Sequence, residues 1–261
     1  MKRINKNTLS SFLTRIERII GLPKPAVTVL AYHAVSNDKT IVDITPETFQ
    51  RQMAFLKERF AFIALDEVID FIKGKKKCSK PAVALTFDDG YMDVFEKVFP
   101  ILKKEKIPAA VFAMSDPMHA NREELANKKA LMSKKELSLL HKNGWTIGCH
   151  SSTHASFAGH AVDRKKEIQN AKKQLEHALG VPVTYFAYPK GDYSQSIAES
   201  VKKTGFAAAF SFESGFISRK SNLFTIPRMP VDHTHSMEQF EAFFTYWGKT
   251  YLKMRYGIEK I

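Results

Sequence analysis

Cysteine, long apolar runs and glycine-rich turns are all scarce in this chain, and each absence narrows the choice of protein class. The two cysteines, Cys78 and Cys149, are too few for a disulfide framework, so we expect free thiols. No stretch of about 18 uninterrupted apolar residues occurs, which excludes a predicted membrane-spanning helix. No glycine-rich nucleotide-binding turn follows the first predicted strand, which argues against a doubly wound sheet.

The charge of the chain is strongly one-sided. Lysine and arginine number 40 against 27 acidic residues, and the net charge is +13. A basic balance favours anionic partners. The basic residues are nevertheless spread along the chain, with their tightest cluster at Lys73–Lys80. We therefore interpret them as a solvated surface and predict no nucleic-acid partner.

Residues 1–25 are interpreted as a basic, amphipathic N-terminal extension. They show neither a continuous apolar core nor a small-residue cleavage site, so no signal peptide is predicted, and a cytoplasmic or membrane-peripheral location is expected. Apolar residues recur there at helical spacing: Leu9, Phe12, Leu13, Ile16, Ile19 and Ile20. A helix over residues 1–20 would either lie on an anionic membrane surface or pack against the main domain.

Short apolar segments alternate with amphipathic segments along the rest of the chain. The predicted strands are Ala26–Tyr32, Phe60–Ile63, Ala82–Phe87, Ala109–Ala113, Thr146–Cys149, Thr184–Tyr188, Ala207–Ser211 and Thr225–Arg228. The predicted helices are Pro46–Arg59, Leu65–Ile72, Met92–Glu105, Ser133–Asn143, Asp163–Leu179, Ser194–Thr204 and Met237–Tyr251. Repeated strand–helix units predict parallel strands with helical crossovers, and an α/β barrel in a single domain. We place that domain at residues 26–245, followed by a tail at 246–261.

Two carboxylates stand at the end of the Ala82–Phe87 strand, in the sequence Thr-Phe-Asp-Asp-Gly. Polar residues at the carboxyl end of a barrel strand usually face the active site. Asp88 and Asp89, followed by Gly90, are therefore candidate site residues. Taken alone, an Asp-Gly pair is more typical of a plain turn.

Two histidines, His150 and His154, follow the Thr146–Cys149 strand in the sequence His-Ser-Ser-Thr-His. Imidazole and carboxylate are normal zinc ligands, and three protein ligands with an open position are typical of catalytic zinc sites. A histidine pair alone is more often incidental surface chemistry. Together with the carboxylate pair on another strand end, it predicts a metal centre.

These two motifs, in this order, resemble the first two motifs of the polysaccharide deacetylases, carbohydrate esterase family four. The resemblance implies a distorted (β/α)7 barrel and removal of N-acetyl groups from a glycan, such as an N-acetylglucosamine polysaccharide or peptidoglycan, with release of acetate. It further implies a divalent metal, Zn²⁺ first with Co²⁺ or Ni²⁺ as alternatives. Carried over, the metal ligands are Asp89, His150 and His154, and the general base is Asp88.

The third motif departs from the family pattern. Phe186–Gly191 resembles the family's Arg-x-Pro-Tyr run, but Ala187 stands at the arginine position and Lys190 at the tyrosine position. Because that arginine orients the catalytic aspartate, we hypothesise that Arg228 replaces it from another strand. The backbone N–H of Lys190 is the candidate oxyanion donor. Candidate substrate-binding residues near the site are Tyr91, Tyr188, Pro189 and Lys190.

The general acid has two candidates. Tyr32-His33 ends the first strand and resembles the tyrosine–histidine motif of the permuted subgroup, which includes deacetylases of poly-β-1,6-N-acetylglucosamine. His33 is therefore preferred. The competitor is His233, which resembles the Leu-x-His motif of unpermuted members.

A glycan-binding barrel with little or no activity is the alternative function, and the altered third motif is its main support. A monomer acting on an N-acetylated glycan is expected in the preferred interpretation.

Overall fold

The computed structural model describes residues 26–38, 40, 42–120, 129–158, 162–213 and 216–245. The predicted N-terminal helix with its membrane contact, the tail at 246–261 and part of the loop predicted at 115–129 lie outside the described residues.

Parallel strands form one continuous sheet in the described part of the chain. The barrel strands, numbered in chain order, are β1 (Val27–Tyr32), β2 (Ala82–Phe87), β3 (Ala109–Ala113), β4 (Thr146–Cys149), β5 (Tyr185–Ala187), β6 (Ala208–Ser211) and β7 (Ile226–Pro227 and Met229–Pro230). Each pairs in parallel with the next strand along the chain. The short strand Ala61–Phe62 lies beside the start of β2, and Ala34–Val35 pairs with Asp43–Ile44.

The final strand closes this sheet. Ile226–Pro227 pairs with β6, whereas Met229–Pro230 pairs with β1, so the two ends of the strand order meet in one segment. Arg228 alone separates the two halves, and it therefore lies at the seam. The result is a nearly closed, distorted (β/α)7 barrel, as expected from the family resemblance.

Alternation along the strands separates the inside of the barrel from its outer layer. Alternate positions of β1, β2, β3, β5 and β6 belong to one buried cluster, which is small-residue-rich because a seven-strand interior is narrow. It contains Ala82 and Ala84 from β2 and Phe112 from β3. The intervening positions, such as Val83 and Leu85, join a second cluster that packs against the surrounding helices.

The Leu65–Ile72 helix covers the amino end of the barrel. Its apolar residues Leu65, Val68 and Ile69 belong to the same buried cluster as the barrel interior. Asp66 on this helix accepts a hydrogen bond from the hydroxyl of Tyr185 in β5. With that end plugged, the carboxyl end of the barrel is the open end where side chains can meet a substrate.

The outer helices largely follow the predictions. They comprise Pro46–Arg59, Leu65–Ile72, Phe99–Lys104, Lys134–Lys142, Ala171–Leu179, Gln195–Lys203 and Met237–Ala242, with π-helical turns at Val94–Val98 and Lys165–Asn170 and short 3₁₀ turns at Pro117–His119 and Pro189–Gly191. The last helix was predicted over Met237–Tyr251, but it ends at Ala242, and residues 243–245 form a turn. Residues 246–251 of that prediction lie outside the described residues.

Cys78 and Cys149 are both free, as expected. Within the described residues, every helix is too short or too polar to cross a bilayer.

Candidate active site

The inward alternation of the strands carries four polar side chains to the open end of the barrel. Continuing the inward positions Ala84 and Thr86 of β2 leads to Asp88, and the same spacing leads to His33 after β1, His150 after β4 and Arg228 within β7. The backbone pairing continues past the strands, because the Asp88 N–H donates to Tyr32 O at 2.9 Å. His33 therefore lies directly beside Asp88 at the barrel rim.

Asp89, His150 and His154 converge on one point. Asp89 Oδ1 lies 3.5 Å from His150 Nε2 and 3.4 Å from His154 Nε2. One potential ligand atom from each residue lies within 4.8 Å of the others, and all three residues are buried. These distances leave space for a cation about 2 Å from each atom.

The orientation of His150 suits it to ligation. Its Nδ1 lies 2.8 Å from the carbonyl oxygen of Ala187, to which only a protonated nitrogen can donate. Nε2, which faces Asp89, is then the nitrogen with a free lone pair. Burial lowers the pKa of His150 to about 4, although the nearby carboxylates oppose this, so the ring is neutral near pH 7.

The oxygen at the centre of the cluster lacks a protein partner. Asp89 Oδ1 is buried and accepts no hydrogen bond in the described structure, and the same is true of the Nδ1 atom of His154. A buried carboxylate oxygen without a partner is costly. A divalent cation would satisfy it, and one carboxylate with two imidazoles is a donor set that Zn²⁺ accepts. Asp89, His150 and His154 can therefore hold a metal ion.

Backbone strain is concentrated at this site. Outside glycine, positive φ values occur among the described residues at Asp89 (67°), Ser151 (65°), His154 (59°), Lys190 (59°) and Lys106 (54°). Four of these five lie in the loops that follow β2, β4 and β5. Such conformations cost roughly 1–3 kcal/mol each and persist where surrounding contacts impose them, often at functional sites.

Arg228 and Asp88 form a bidentate ion pair. Arg228 Nη1 donates to Asp88 Oδ1 and Arg228 Nη2 to Asp88 Oδ2, both at 2.7 Å, and both side chains are fully buried. Burial alone would raise the pKa of Asp88, but the charge of Arg228 and the neighbouring His150 outweigh it and lower that pKa to about 2. The contact predicted for Arg228 from the sequence is present, and Asp88 is ionised across the physiological range.

Three residues that support Arg228 were missed by the sequence reasoning. Thr86 Oγ1 accepts from Arg228 Nη1 at 3.1 Å. The guanidinium lies over the rings of Phe112, 5.2 Å from the centroid, and Phe212, 4.8 Å from the centroid. Phe112 occupies an inward position of β3 and Phe212 directly follows β6, so the inward alternation could have identified both rings as neighbours of the site.

The two candidate acids lie in different surroundings. His33 is half-buried, its ring centroid lies 6.3 Å from that of Phe212, and its charge contributes to the lowered pKa of Asp88. His233 follows β7 and is exposed. The backbone pairing of β1 with β2 brings His33 next to Asp88 at the rim of the barrel.

The residues predicted to bind substrate differ in accessibility. Tyr91 and Tyr188 are fully buried, and the hydroxyl of Tyr188 donates to the carbonyl of Phe224 at 2.9 Å. Pro189 is also buried, whereas Lys190 is exposed in the turn after β5. Because both rings are fully buried, neither Tyr91 nor Tyr188 presents a face on which a sugar ring can stack in this structure.

Comparison with known proteins agrees with this geometry. A family model described as polysaccharide deacetylase matches residues 75–209, just over half of the chain. The poly-β-1,6-N-acetyl-D-glucosamine N-deacetylase of Staphylococcus aureus (strain MSSA476) is 30% identical over 215 residues, which cover 78% of this chain and 71% of that protein.

Two solved structures share the fold. The Streptococcus pyogenes deacetylase PplD in complex with acetate matches with a TM-score of 0.72 at 21% identity, covering 85% of this chain and 98% of that chain. IcaB from Ammonifex degensii matches with a TM-score of 0.70 at 21% identity, covering 86% and 97%. The chain belongs to the polysaccharide deacetylase family and is accordingly a hydrolase of amide bonds.

Proposed function

We propose that the protein removes N-acetyl groups from a glycan in a metal-dependent reaction that releases acetate. The observation that carries this proposal is the buried convergence of Asp89, His150 and His154 beside an arginine-held carboxylate, Asp88. When bound to these three residues, a divalent cation, with Zn²⁺ as the first candidate, would polarise an amide carbonyl and lower the pKa of a water molecule to about 7.

Asp88 is the proposed general base. Its carboxylate lies 3.9 Å from His150 Nε2 and therefore borders the ligand cluster without belonging to it. Arg228 keeps it ionised and fixes the plane of the carboxylate, since the two parallel hydrogen bonds leave it little freedom to rotate. A base with so low a pKa is weak, so it can accept a proton only from a donor more acidic than bulk water.

His33 is the proposed general acid, because cleavage of an amide requires a proton on the leaving amine. It approaches the site from β1, on the other side of Asp88 from β3 and β4. The backbone N–H of Lys190, in the turn after β5, is the proposed donor to the tetrahedral oxyanion. Support for this comes from the contact of His150 with Ala187, which places the end of β5 against the ligand cluster.

The relatives direct the choice of substrate. Similarity to the poly-β-1,6-N-acetyl-D-glucosamine N-deacetylase extends over most of both chains. We therefore propose a β-1,6-linked N-acetylglucosamine polymer as the first substrate to test. The inactive glycan-binding alternative lost its main support, since Arg228 supplies the guanidinium that the third motif lacks.

Acetate release from β-1,6-linked N-acetylglucosamine oligomers, compared with β-1,4-linked oligomers, tests this function. The wild-type protein loaded with Zn²⁺ or Co²⁺ should release acetate. Asp88→Asn should lose about 10²–10⁴-fold in kcat, the usual contribution of a general base. Asp70→Asn makes the same chemical change on the helix at the opposite end of the barrel and should leave kcat unchanged. Glycan binding without acetate release by metal-loaded wild-type protein would overturn the proposal.

A further inference from the structure

The loop that joins the two histidines of the site is fastened to a buried carboxylate from a distant element. Glu167 Oε2 accepts the backbone N–H groups of Ser152 at 3.0 Å and Thr153 at 2.9 Å. Glu167 Oε1 accepts the hydroxyl of Thr153 at 2.8 Å. Glu167 is only 4% exposed, so these three bonds are shielded from water.

The backbone of this loop is shaped around that carboxylate. Ser151 and His154 both adopt positive φ, at 65° and 59°, and the two residues between them point their N–H groups at Glu167. Successive N–H groups that converge in this way form an anion-binding nest. The His154 N–H donates to Ser151 Oγ at 3.0 Å, which completes the turn. The strained conformation of His154 is therefore maintained by contacts, and Glu167 supplies the charged ones.

Glu167 itself is held in place by helix geometry. It lies within the π-helical segment Lys165–Asn170, a feature that is rare and often found at functional sites. The segment continues directly into the Ala171–Leu179 helix, which packs on the outside of the barrel. The carboxylate thus connects a helix packed on the outside of the barrel to the loop that carries His154.

We propose that Glu167 is a positioning residue of the metal site, which sets the separation between His154 Nε2 and Asp89 Oδ1 without touching either atom. The inference rests on the proposed function, because it concerns the same three ligands. Residues that orient metal ligands usually contribute 10–100-fold to metal affinity. Loss of the Glu167 contacts should release the strain at Ser151 and His154, and the nitrogen of His154 would then no longer be held at the ligand distance.

Zn²⁺ affinity, measured by competition with a chromogenic chelator, tests this role. Glu167→Ala should weaken binding about 10–100-fold. Glu167→Asp keeps the charge but shortens the side chain, and it should also weaken binding by at least about 10-fold. Glu167→Gln should retain most of the affinity, because its amide oxygen can accept both N–H groups while its NH₂ donates to Thr153 Oγ1. The visible spectrum of the Co²⁺ form should change in the alanine and aspartate variants.

Glu176→Ala is the matched control. Glu176 lies on the adjoining helix and accepts the Val183 N–H at 3.0 Å, so it also fastens a loop to a helix, but away from the ligands. This variant should lose thermal stability and keep wild-type Zn²⁺ affinity. Wild-type affinity in folded Glu167→Ala or Glu167→Asp protein would overturn the inference while leaving the proposed function intact. Absence of Zn²⁺ binding by the wild-type protein would overturn both.

Discussion

Removal of Arg228 should expose how strongly the barrel depends on one buried ion pair. Asp88 and Arg228 are both fully buried and share two hydrogen bonds of 2.7 Å. Taking away one partner of such a pair leaves an uncompensated charge and costs about 3–5 kcal/mol. Arg228→Met should therefore lower the free energy of unfolding by that amount near pH 7, which corresponds to a fall in Tm of roughly 10 °C for a chain of this size.

The lowered pKa of Asp88 gives a second measure of how much the ion pair contributes to the free energy of unfolding. A fall from 3.8 to about 2 favours the ionised form by roughly 2 kcal/mol, after burial has been overcome. Because folding lowers the pKa of Asp88, this contribution to stability is present above pH 3.8 and is lost as the pH falls towards 2. Arg228→Met removes the attraction between the two charges but leaves Asp88 buried. The loss in the free energy of unfolding at neutral pH should therefore exceed this net value of roughly 2 kcal/mol.

A double-mutant cycle with Asp88→Asn measures the pair directly. Each single variant leaves one buried charge, whereas the Asp88→Asn, Arg228→Met double variant leaves none and should be more stable than Arg228→Met alone. Chemical denaturation of the four proteins gives the coupling energy, which we expect to exceed about 1.5 kcal/mol. Arg228→Lys should keep part of the stability, but it cannot form the bidentate pair with Asp88, and kcat should therefore fall. A cost below about 1 kcal/mol for Arg228→Met, with no rescue by Asp88→Asn, would refute the reasoning.

Three further perturbations test other parts of the structure. Without metal, Asp89→Asn should be at least as stable as the wild type, because the substitution removes a buried charge. Zn²⁺ at 100-fold its Kd should stabilise the wild type by about 2.7 kcal/mol, and the variant should lose this stabilisation. Thermal melts with and without Zn²⁺ measure both effects. Gly148→Ala should cost about 1–3 kcal/mol in chemical denaturation, since a Cβ there would lie 2.4 Å from the Phe112 ring. Burial alone would raise the pKa of Asp43, but its hydrogen bonds, of which that from Lys129 is the strongest, outweigh burial and lower the pKa. The free energy of unfolding of the wild type should therefore fall as the pH drops below 3.8. Lys129→Met should lose about 1–3 kcal/mol at pH 7, because Asp43 keeps its hydrogen bonds from Ser36 and Thr40, and should show less of this acid dependence. Equal acid dependence in both proteins would contradict the assignment.

Local patterns predicted most of the secondary structure. The Pro46–Arg59 helix has its predicted bounds, with Thr45 capping it through a hydrogen bond from the Thr48 N–H. The capping box of Ser133 and Glu136 also forms as predicted. These signals depend only on residues within one turn, which is why the sequence alone is sufficient.

Features that depend on distant contacts were beyond the sequence patterns. The π-helical turns at Val94–Val98 and Lys165–Asn170 have no local signature that distinguishes them from ordinary helix. The seam at Arg228 arises because one short segment pairs with strands from opposite ends of the chain. Such closure depends on the geometry of the whole barrel.

The candidate site was predictable in part. Asp88, Asp89, His150 and His154 stand directly after strong apolar strands, so parallel pairing brings them to one rim. Glu167 could not be identified in the same way, because it lies inside a helix and reaches the site only through its contact with backbone N–H groups. Tyr91 and Tyr188 were predicted to bind substrate, but both rings are fully buried, and that burial depends on packing that the sequence does not reveal.

Metal stoichiometry tests the central claim most directly. Elemental analysis of protein equilibrated with Zn²⁺ and freed of excess ion should find one Zn²⁺ per chain in the wild type and essentially none in a His150→Ala, His154→Ala variant. The matched control, His119→Ala with His177→Ala, removes two exposed histidines elsewhere and should keep one Zn²⁺ per chain. Full occupancy in the His150→Ala, His154→Ala variant, or no bound Zn²⁺ in the wild type, would contradict the assignment of the metal site.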